Sequence, residues 1–297
     1  MTTAAPRSVG APPALAFLLV QAAAVCVFAG RAWQHLFWDA PFRTLLWDQA
    51  WMEPLVSGLF GTPWADYARS PGVDEGIQTA IIVCGALYAA LAVLALLIRR
   101  VPRAGGRLLW LGSLLLATLA FLYWKEKFWN LGQFLEYALQ ICAPLLLYHL
   151  RYRGGWSPAF VFTVKVLIAV TFVCHGLYAV GYYPRPGNFV QMILDSLAVS
   201  EATALRMLDV AGYLDFALAV GIFLPRRIAL PFLYYAALWG FLTAFARIYA
   251  NFYPAFWQEA LHQHLHQVVL RLPHVLVPLA LIVVLRDRAG AVPAPVD

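Results

Sequence analysis

The hydrophobic residues of this chain are gathered into long, nearly uninterrupted runs. Residues 12–30, 77–98, 107–124 and 228–246 are such runs. As helices rising about 1.5 Å per residue, they would cross most or all of a hydrocarbon core about 30 Å thick. We therefore predict an all-α integral membrane protein with eight transmembrane helices, at 12–34, 77–98, 107–124, 129–149, 159–182, 204–224, 228–249 and 262–285.

Two segments outside these runs mix aromatic and charged residues. Residues 38–76 include Trp38, Trp51 and Arg43, and residues 186–203 are a shorter stretch of the same kind. Aromatic rings and charges in one helix favour the level of the lipid headgroups. We expect amphipathic helices lying in the outer interface.

Composition excludes a soluble fold. The chain has 297 residues, of which 62% are hydrophobic and 12% charged, with a mean hydropathy of +0.71. A soluble domain carries about 25% charged residues. The net charge of +6 does not indicate nucleic acid as a partner, because the charges lie in short loops between apolar spans. The cysteines lie within spans without a CxxC pair, which favours packed thiols.

Basic residues in the short loops predict the orientation. Cytoplasmic loops of membrane proteins are enriched in Lys and Arg. If the N-terminus is inside, the inner segments contain almost only basic charges, namely Arg7, Arg99, Arg100, Arg103, Arg107, Arg151, Arg153, Lys165, Arg226, Arg227, Arg286 and Arg288. We predict a multi-pass protein of a bacterial inner (plasma) membrane with both termini in the cytoplasm.

The two halves of the chain follow the same plan. Residues 1–153 and 154–297 each hold four predicted spans, with an outer amphipathic segment after the first. An even number of spans per copy makes the copies parallel, related by an axis near the membrane normal. Because the first span belongs to this repeat, we do not interpret it as a signal peptide. The matching residues are His35 and His175, Lys125 and Arg247, Gln133 and Gln267, and Pro144 and Pro278.

Polar residues inside the spans concentrate in their outer and middle parts. Such residues are costly in a bilayer, so each suggests a functional site. If they face the bundle interior, they line one cavity open toward the outer face. The candidate site residues are Arg31, His35, Glu136, Gln140, His175, Asp215, Arg247, Arg271 and His274.

Asp215 is the sharpest candidate because its position is near the bilayer midplane. Arg271 or His274, on neighbouring faces of one helix, could pair with it. Two interpretations stay open: a buried ion pair joining two helices, or a carboxylate that relays protons or binds substrate. In the first half, Glu136 is the equivalent residue, with Arg31 or Lys125 as its expected partner.

The run His262, His264 and His266 resembles a metal motif, but its spacing argues against one. In a helix the first and third share a face and the second points away. We expect a water-exposed run at the interface and no metal site.

Histidines on separate spans could also ligate haem, namely His35, His175 and His274. Histidines satisfied by neighbouring helices are the commoner case, so we do not predict haem. The chain lacks Walker, GxGxxG, GxSxG and HExxH motifs, which argues against nucleotide binding and common hydrolytic chemistry.

The second half resembles the DoxX/DoxD-like superfamily of four-helix membrane proteins. The resemblance rests on the Phe-Val-Cys-His-Gly-Leu-Tyr sequence at 172–178, the Ala-Gly-Tyr-Leu-Asp sequence at 211–215 and Leu-Pro-Arg-Arg at 224–227. The first half would be a degenerate copy that keeps His35 but lacks the following glycine. The resemblance implies a quinone-linked sulfur oxidoreductase subunit, or a cargo or assembly factor; carboxylase-like HTTM proteins are a more distant likeness. The absence of a CxxC pair argues against redox-active thiol chemistry.

These features lead to two functional hypotheses. The first is a membrane redox component that binds a quinone or similar lipid-soluble partner. In it Asp215 handles protons, while His175 and His274 bind the partner's oxygen atoms. The alternative is a non-enzymatic carrier of a lipid or small molecule, or an assembly factor for a membrane or periplasmic protein partner.

Overall fold

The computed structural model describes residues 14–290, which form helices and connecting turns and contain no strand. One short 3-10 helix, Pro254–Phe256, precedes α14. The α-helices are α1 (Ala14–Phe37), α2 (Arg43–Leu46), α3 (Gln49–Phe60), α4 (Trp64–Arg69), α5 (Pro71–Leu96), α6 (Arg103–Gly106), α7 (Leu108–Glu126), α8 (Leu131–Leu135), α9 (Ala138–Tyr152), α10 (Pro158–Ala179), α11 (Gly187–Leu197), α12 (Glu201–Gly221), α13 (Arg226–Tyr249), α14 (Trp257–Val269) and α15 (Pro273–Gly290).

The helices confirm a membrane-embedded protein. Within the described residues, five helical segments are long and apolar enough to cross a bilayer: α1, α5, α6 with α7, α10 and α13. The pair α14 and α15, bent by 43°, would make a sixth. The other two predicted spans differ from these: α9 has only 15 residues, and α12 carries Arg206, Asp209 and Asp215. Residues 12 and 13, where the first predicted span begins, lie outside the described residues.

Two predicted spans are broken helices. Residues 129–149 form α8 and α9, and residues 262–285 fall in α14 and α15. Pro273 begins α15, since a proline lacks the N–H that a continuous helix needs. In membrane proteins such breaks are tolerated where the backbone is buried in protein or lines a cavity.

Helix α1 lies in the middle of the bundle, against α5, α9, α14 and α15. The helix contacts in the two halves follow one order: α1 with α5 corresponds to α10 with α12, and α7 with α9 to α13 with α15. The largest fully buried side chains include Phe28, Tyr88, Leu147, Ile168 and Leu218. The division into two repeated units stays a prediction.

Different polar contacts join neighbouring segments at the two ends of the bundle. At one end, Arg151 Nη2 donates to the Arg99 carbonyl over 3.1 Å, and Gln21 Nε2 donates to the Leu96 carbonyl over 2.8 Å. At the other, Lys125 forms an ion pair with Asp48 of the α2–α4 segment. Its ammonium group holds the pKa of the Asp48 carboxyl below the usual value. The α2–α4 segment is thereby attached to the end of α7.

Candidate functional site

A cavity of about 1260 Å³ lies among α8, α9, α10, α12, α13 and the start of α15. Helix α11 forms part of its wall through Phe189, Met192 and Ile193. Most of the lining is aliphatic or aromatic, and the polar groups come from helix interiors and from the two helix breaks. The breaks place Glu136 beside the α8–α9 junction and Arg271 beside the α14–α15 junction.

All but two of the predicted site residues line this cavity. They are Glu136, Gln140, His175, Asp215, Arg247, Arg271 and His274. Arg31 and His35 are buried but are not part of the lining. Arg31 donates to Gln34 over 2.7 Å and to Gln140 over 2.8 Å. It therefore holds the lining residue Gln140 in place from outside the cavity.

The polar part of the lining is a cluster around Glu136. Its Oε2 lies 3.9 Å from His175 Nε2, and its Oε1 accepts a hydrogen bond from Gln133 over 2.6 Å. The rings of His175 and His274 are stacked, with centroids 5.4 Å apart and planes 22° from parallel. Arg247 and Arg271 line the same cavity as the Glu136 carboxylate. The cluster therefore offers donors, an acceptor and both signs of charge in one place.

His274 presents an unpaired acceptor. Its Nδ1 lies 2.9 Å from the carbonyl oxygen of Arg271. A carbonyl only accepts, so Nδ1 carries the hydrogen, and the neutral ring keeps a lone pair on Nε2. That Nε2 is buried and has no hydrogen-bond partner within the described residues.

The comparison with known families covers the part of the cavity wall that the second half supplies. Residues 169–276 match the model of the DoxX-like family. The match confirms the resemblance predicted for the second half, and it includes His175, Asp215, Arg247, Arg271 and His274. No curated protein and no solved structure matches the chain.

Within the DoxX-like segment, Asp215 has a different partner from the one predicted. Its side chain is 1% exposed, and Tyr235 Oη donates to its Oδ1 over 3.2 Å. The predicted pairing with Arg271 or His274 is wrong because α12 packs against α13, which supplies Tyr235. Tyr235 and Trp239, one turn apart on α13, stack with planes 10° from parallel.

The predicted ion-pair partners of Glu136 are also wrong. Lys125 pairs with Asp48, and Arg31 is held by Gln34 and Gln140. Arg31 also lies over the Tyr137 ring, 5.2 Å from its centroid. Oε2 of Glu136 instead lies 3.9 Å from Nε2 of His175, in the segment that matches the DoxX-like family.

The histidine run lies on helix α14. His262 and His266 share a face, since both rings contact Trp38 at 5.2 and 6.4 Å between centroids. His266 is only 6% exposed, so the prediction of a water-exposed run is wrong for this residue. In the part of the chain that the structure describes, no group of three His, Cys, Asp or Glu side chains could hold a metal ion.

Several lining residues were not predicted from the sequence. Tyr178, Tyr235 and Trp239 line the cavity, and the Tyr178 hydroxyl is buried without a hydrogen-bond partner among the described residues. The available signal was spacing, since Tyr178 follows His175 by three residues on one helix. Aromatic residues are too frequent in this chain for such spacing to be selective.

Proposed function

We propose that the chain is a quinone-linked membrane redox component, which binds a quinone or a similar lipid-soluble molecule in this cavity. The observation that supports it is a polar cluster in an otherwise apolar cavity of about 1260 Å³. Ligand pockets are typically about 300–1,000 Å³. This cavity is larger than that range, so it has room for an oxygen-bearing ring together with part of an apolar tail.

The cluster can accommodate both oxidation states of such a ring. Quinone carbonyl oxygens accept hydrogen bonds, which Arg247, Arg271 and the ring N–H of His175 can donate. A quinol hydroxyl donates, and His274 Nε2 is the unpaired acceptor. In this proposal His175 and His274 bind the oxygen atoms and Asp215 handles protons. A membrane or periplasmic protein partner exchanges the electrons.

Helix α11 is the proposed entrance from the bilayer. It is amphipathic, and its apolar residues contribute to the cavity wall. The turn before it is attached to α12 by an ion pair between Arg185 and Asp209. A lipid-soluble ligand could pass from the membrane plane into the cavity when α11 moves aside.

Ligand binding tests the proposal directly. We expect a short-chain ubiquinone analogue to quench the tryptophan fluorescence of the purified protein, because Trp239 lines the cavity. His274→Phe keeps an aromatic ring but removes the acceptor, and should weaken binding of the quinol form by about tenfold, equivalent to 1.4 kcal/mol. His264→Phe, outside the lining, is the matched control. Equal affinities in all three proteins, or no binding, would contradict the proposal.

A non-enzymatic binder or assembly factor is the second candidate. The cavity volume favours it as much as it favours a quinone site, because a lipid tail would fill the same apolar space. A protein that binds quinone but passes no electrons to any membrane partner would support this candidate.

We further propose eight transmembrane crossings in two parallel four-helix units, residues 1–153 and 154–297, with both termini in the cytoplasm of an inner-membrane protein. The common order of helix contacts in the two halves supports this arrangement. The meeting of Arg151 with the carbonyl of Arg99 also supports it, since both segments are predicted to be cytoplasmic.

Single cysteines can test the two crossings with the weakest sequence support. After the four native cysteines are replaced, Lys127→Cys and Asp195→Cys should react with an impermeant maleimide added to intact cells. Arg153→Cys and Arg226→Cys should react only after permeabilisation. The first member of each pair lies before α8–α9 or α12, and the second lies after it. If both members of a pair are labelled from outside, the chain does not cross the membrane between them.

A further inference from the structure

Three of the described arginines line the cavity without an ionic partner, and two of them, Arg247 and Arg271, are not exposed, whereas Arg206 is. Arg247 is 8% exposed, and its Nη1 donates to the carbonyl of Thr243 on the same helix. Arg271 Nη1 donates to the carbonyl of Gln267 over 3.1 Å. Within residues 14–290, neither guanidinium has a carboxylate oxygen within 4.0 Å. Each has five N–H donors, so most of them are free for a ligand.

Several other basic residues of the bundle have partners. Lys125 and Arg185 have carboxylate partners, and Arg43 has two, at 3.0 and 2.9 Å. Arg31 is enclosed by two glutamine side chains and two tyrosine rings. A charge away from water is costly unless it is paired. A ligand would supply the partner that Arg247 and Arg271 lack.

The charges around the cavity indicate the sign that a ligand should carry. Glu136 lines the same cavity as both arginines, but the side chain within 4.0 Å of its Oε2 is His175. Arg31, which donates to the lining residue Gln140, adds a further positive charge beside the wall. Asp215 lines the same cavity but is bonded to Tyr235. A negatively charged ligand would offset this excess of positive charge.

We propose that the ligand of this cavity is an anionic amphiphile, whose ionised oxygen acid binds Arg247 and Arg271 and whose apolar body fills the rest of the space. The inference rests on the proposed function only in placing a lipid-soluble ligand in this cavity. Planar guanidinium groups bind carboxylates and similar paired oxygens through two parallel hydrogen bonds. A long-chain carboxylate and a quinone with an acidic ring hydroxyl share this chemistry.

Matched acidic and neutral ligands test the charge requirement in the unaltered protein. Full-length protein in discs of neutral lipid would be incubated with radiolabelled oleate. Competitors would be oleyl alcohol, an alkylated hydroxynaphthoquinone and the methyl ether of that quinone. We expect each acid to compete at least about tenfold better than its neutral analogue, a difference of 1.4 kcal/mol. The pair with the larger ratio identifies the source of the head group.

Arginine variants locate the effect. Arg247→Gln and Arg271→Gln should each abolish the preference for acids, whereas Arg151→Gln, at the opposite end of the bundle, should keep it. Neutral analogues that compete as well as the acids would overturn the inference and leave the proposed function standing. Sulfate competing as well as oleate would overturn the amphiphile in favour of a small-anion site. If neither the acids nor a neutral quinone binds, the proposed function fails as well.

Discussion

Gly30→Val should prevent the bundle from packing, and Gly30→Ala should destabilise it severely. A Cβ atom at Gly30 would lie 2.6 Å from the backbone nitrogen of Leu270, 2.7 Å from its Cβ and 2.8 Å from its Cα. Two of these atoms belong to the backbone, so no rotamer change relieves the overlap. Overpacking of a core typically costs about 1–3 kcal/mol, and more where the backbone must move. Thermal unfolding of the purified protein in detergent would measure the loss.

Gly58→Ala and Gly76→Ala are the matched controls. Both glycines lie in helices, and an added Cβ would meet nothing within 4 Å at either site. Alanine is favoured over glycine in a helix by about 1 kcal/mol, so these variants should unfold at the same temperature or slightly higher. A loss at Gly58 or Gly76 equal to that at Gly30 would contradict the close approach of α1 and Leu270.

The same contact links folding to the site. Leu270 is in the α14–α15 break, directly before Arg271. Displacing this break would move the Arg271 guanidinium and the His274 ring, which lie on either side of Pro273. We therefore expect Gly30→Ala to weaken ligand binding even in the fraction of protein that remains folded.

The membrane class was predictable from the sequence because it follows from the lengths of the hydrophobic runs. The breaks were not predictable in the same way. Residues 129–149 and 262–285 both change from a polar first part to an apolar second part, but a change in hydropathy does not show where a helix bends. Pro273 was a local signal for the second break, whereas Pro144 and Pro278 lie inside continuous helices. A proline alone therefore did not distinguish a break from an uninterrupted helix.

The polar residues at the centre of the lining could be proposed because a polar side chain in an apolar span is costly wherever it lies. Their partners could not, since a partner depends on which helices are neighbours. Asp215 bonds to Tyr235 because α12 packs against α13. Arg31 and His35 belong to α1, the middle helix. Their polar side chains therefore pack against the surrounding helices and do not line the cavity. The roles of the lining residues remain predictions.

Asp215→Leu should raise the stability of the protein while removing its proposed redox activity. The carboxyl group is 1% exposed, and its hydrogen bond to Tyr235 is 3.2 Å long. An Asp at the centre of a membrane helix costs about 2.5–3.5 kcal/mol. After the substitution, the Tyr235 hydroxyl keeps the carbonyl of Ala211, at 3.4 Å, as an acceptor. We expect the unfolding temperature to rise by several degrees.

The two interpretations of Asp215 predict opposite signs for this variant. If Asp215 takes a proton from a bound quinol, quinol oxidation with a membrane electron acceptor should fall by about 100-fold or more, the usual contribution of a general base. Asp215→Asn, which keeps the shape but not the proton affinity, should lose activity equally. If instead the carboxylate only joins α12 to α13, leucine should lower the unfolding temperature and asparagine should retain activity. Measuring stability and turnover on both variants separates these cases, because only a functional carboxylate is retained at a cost to stability.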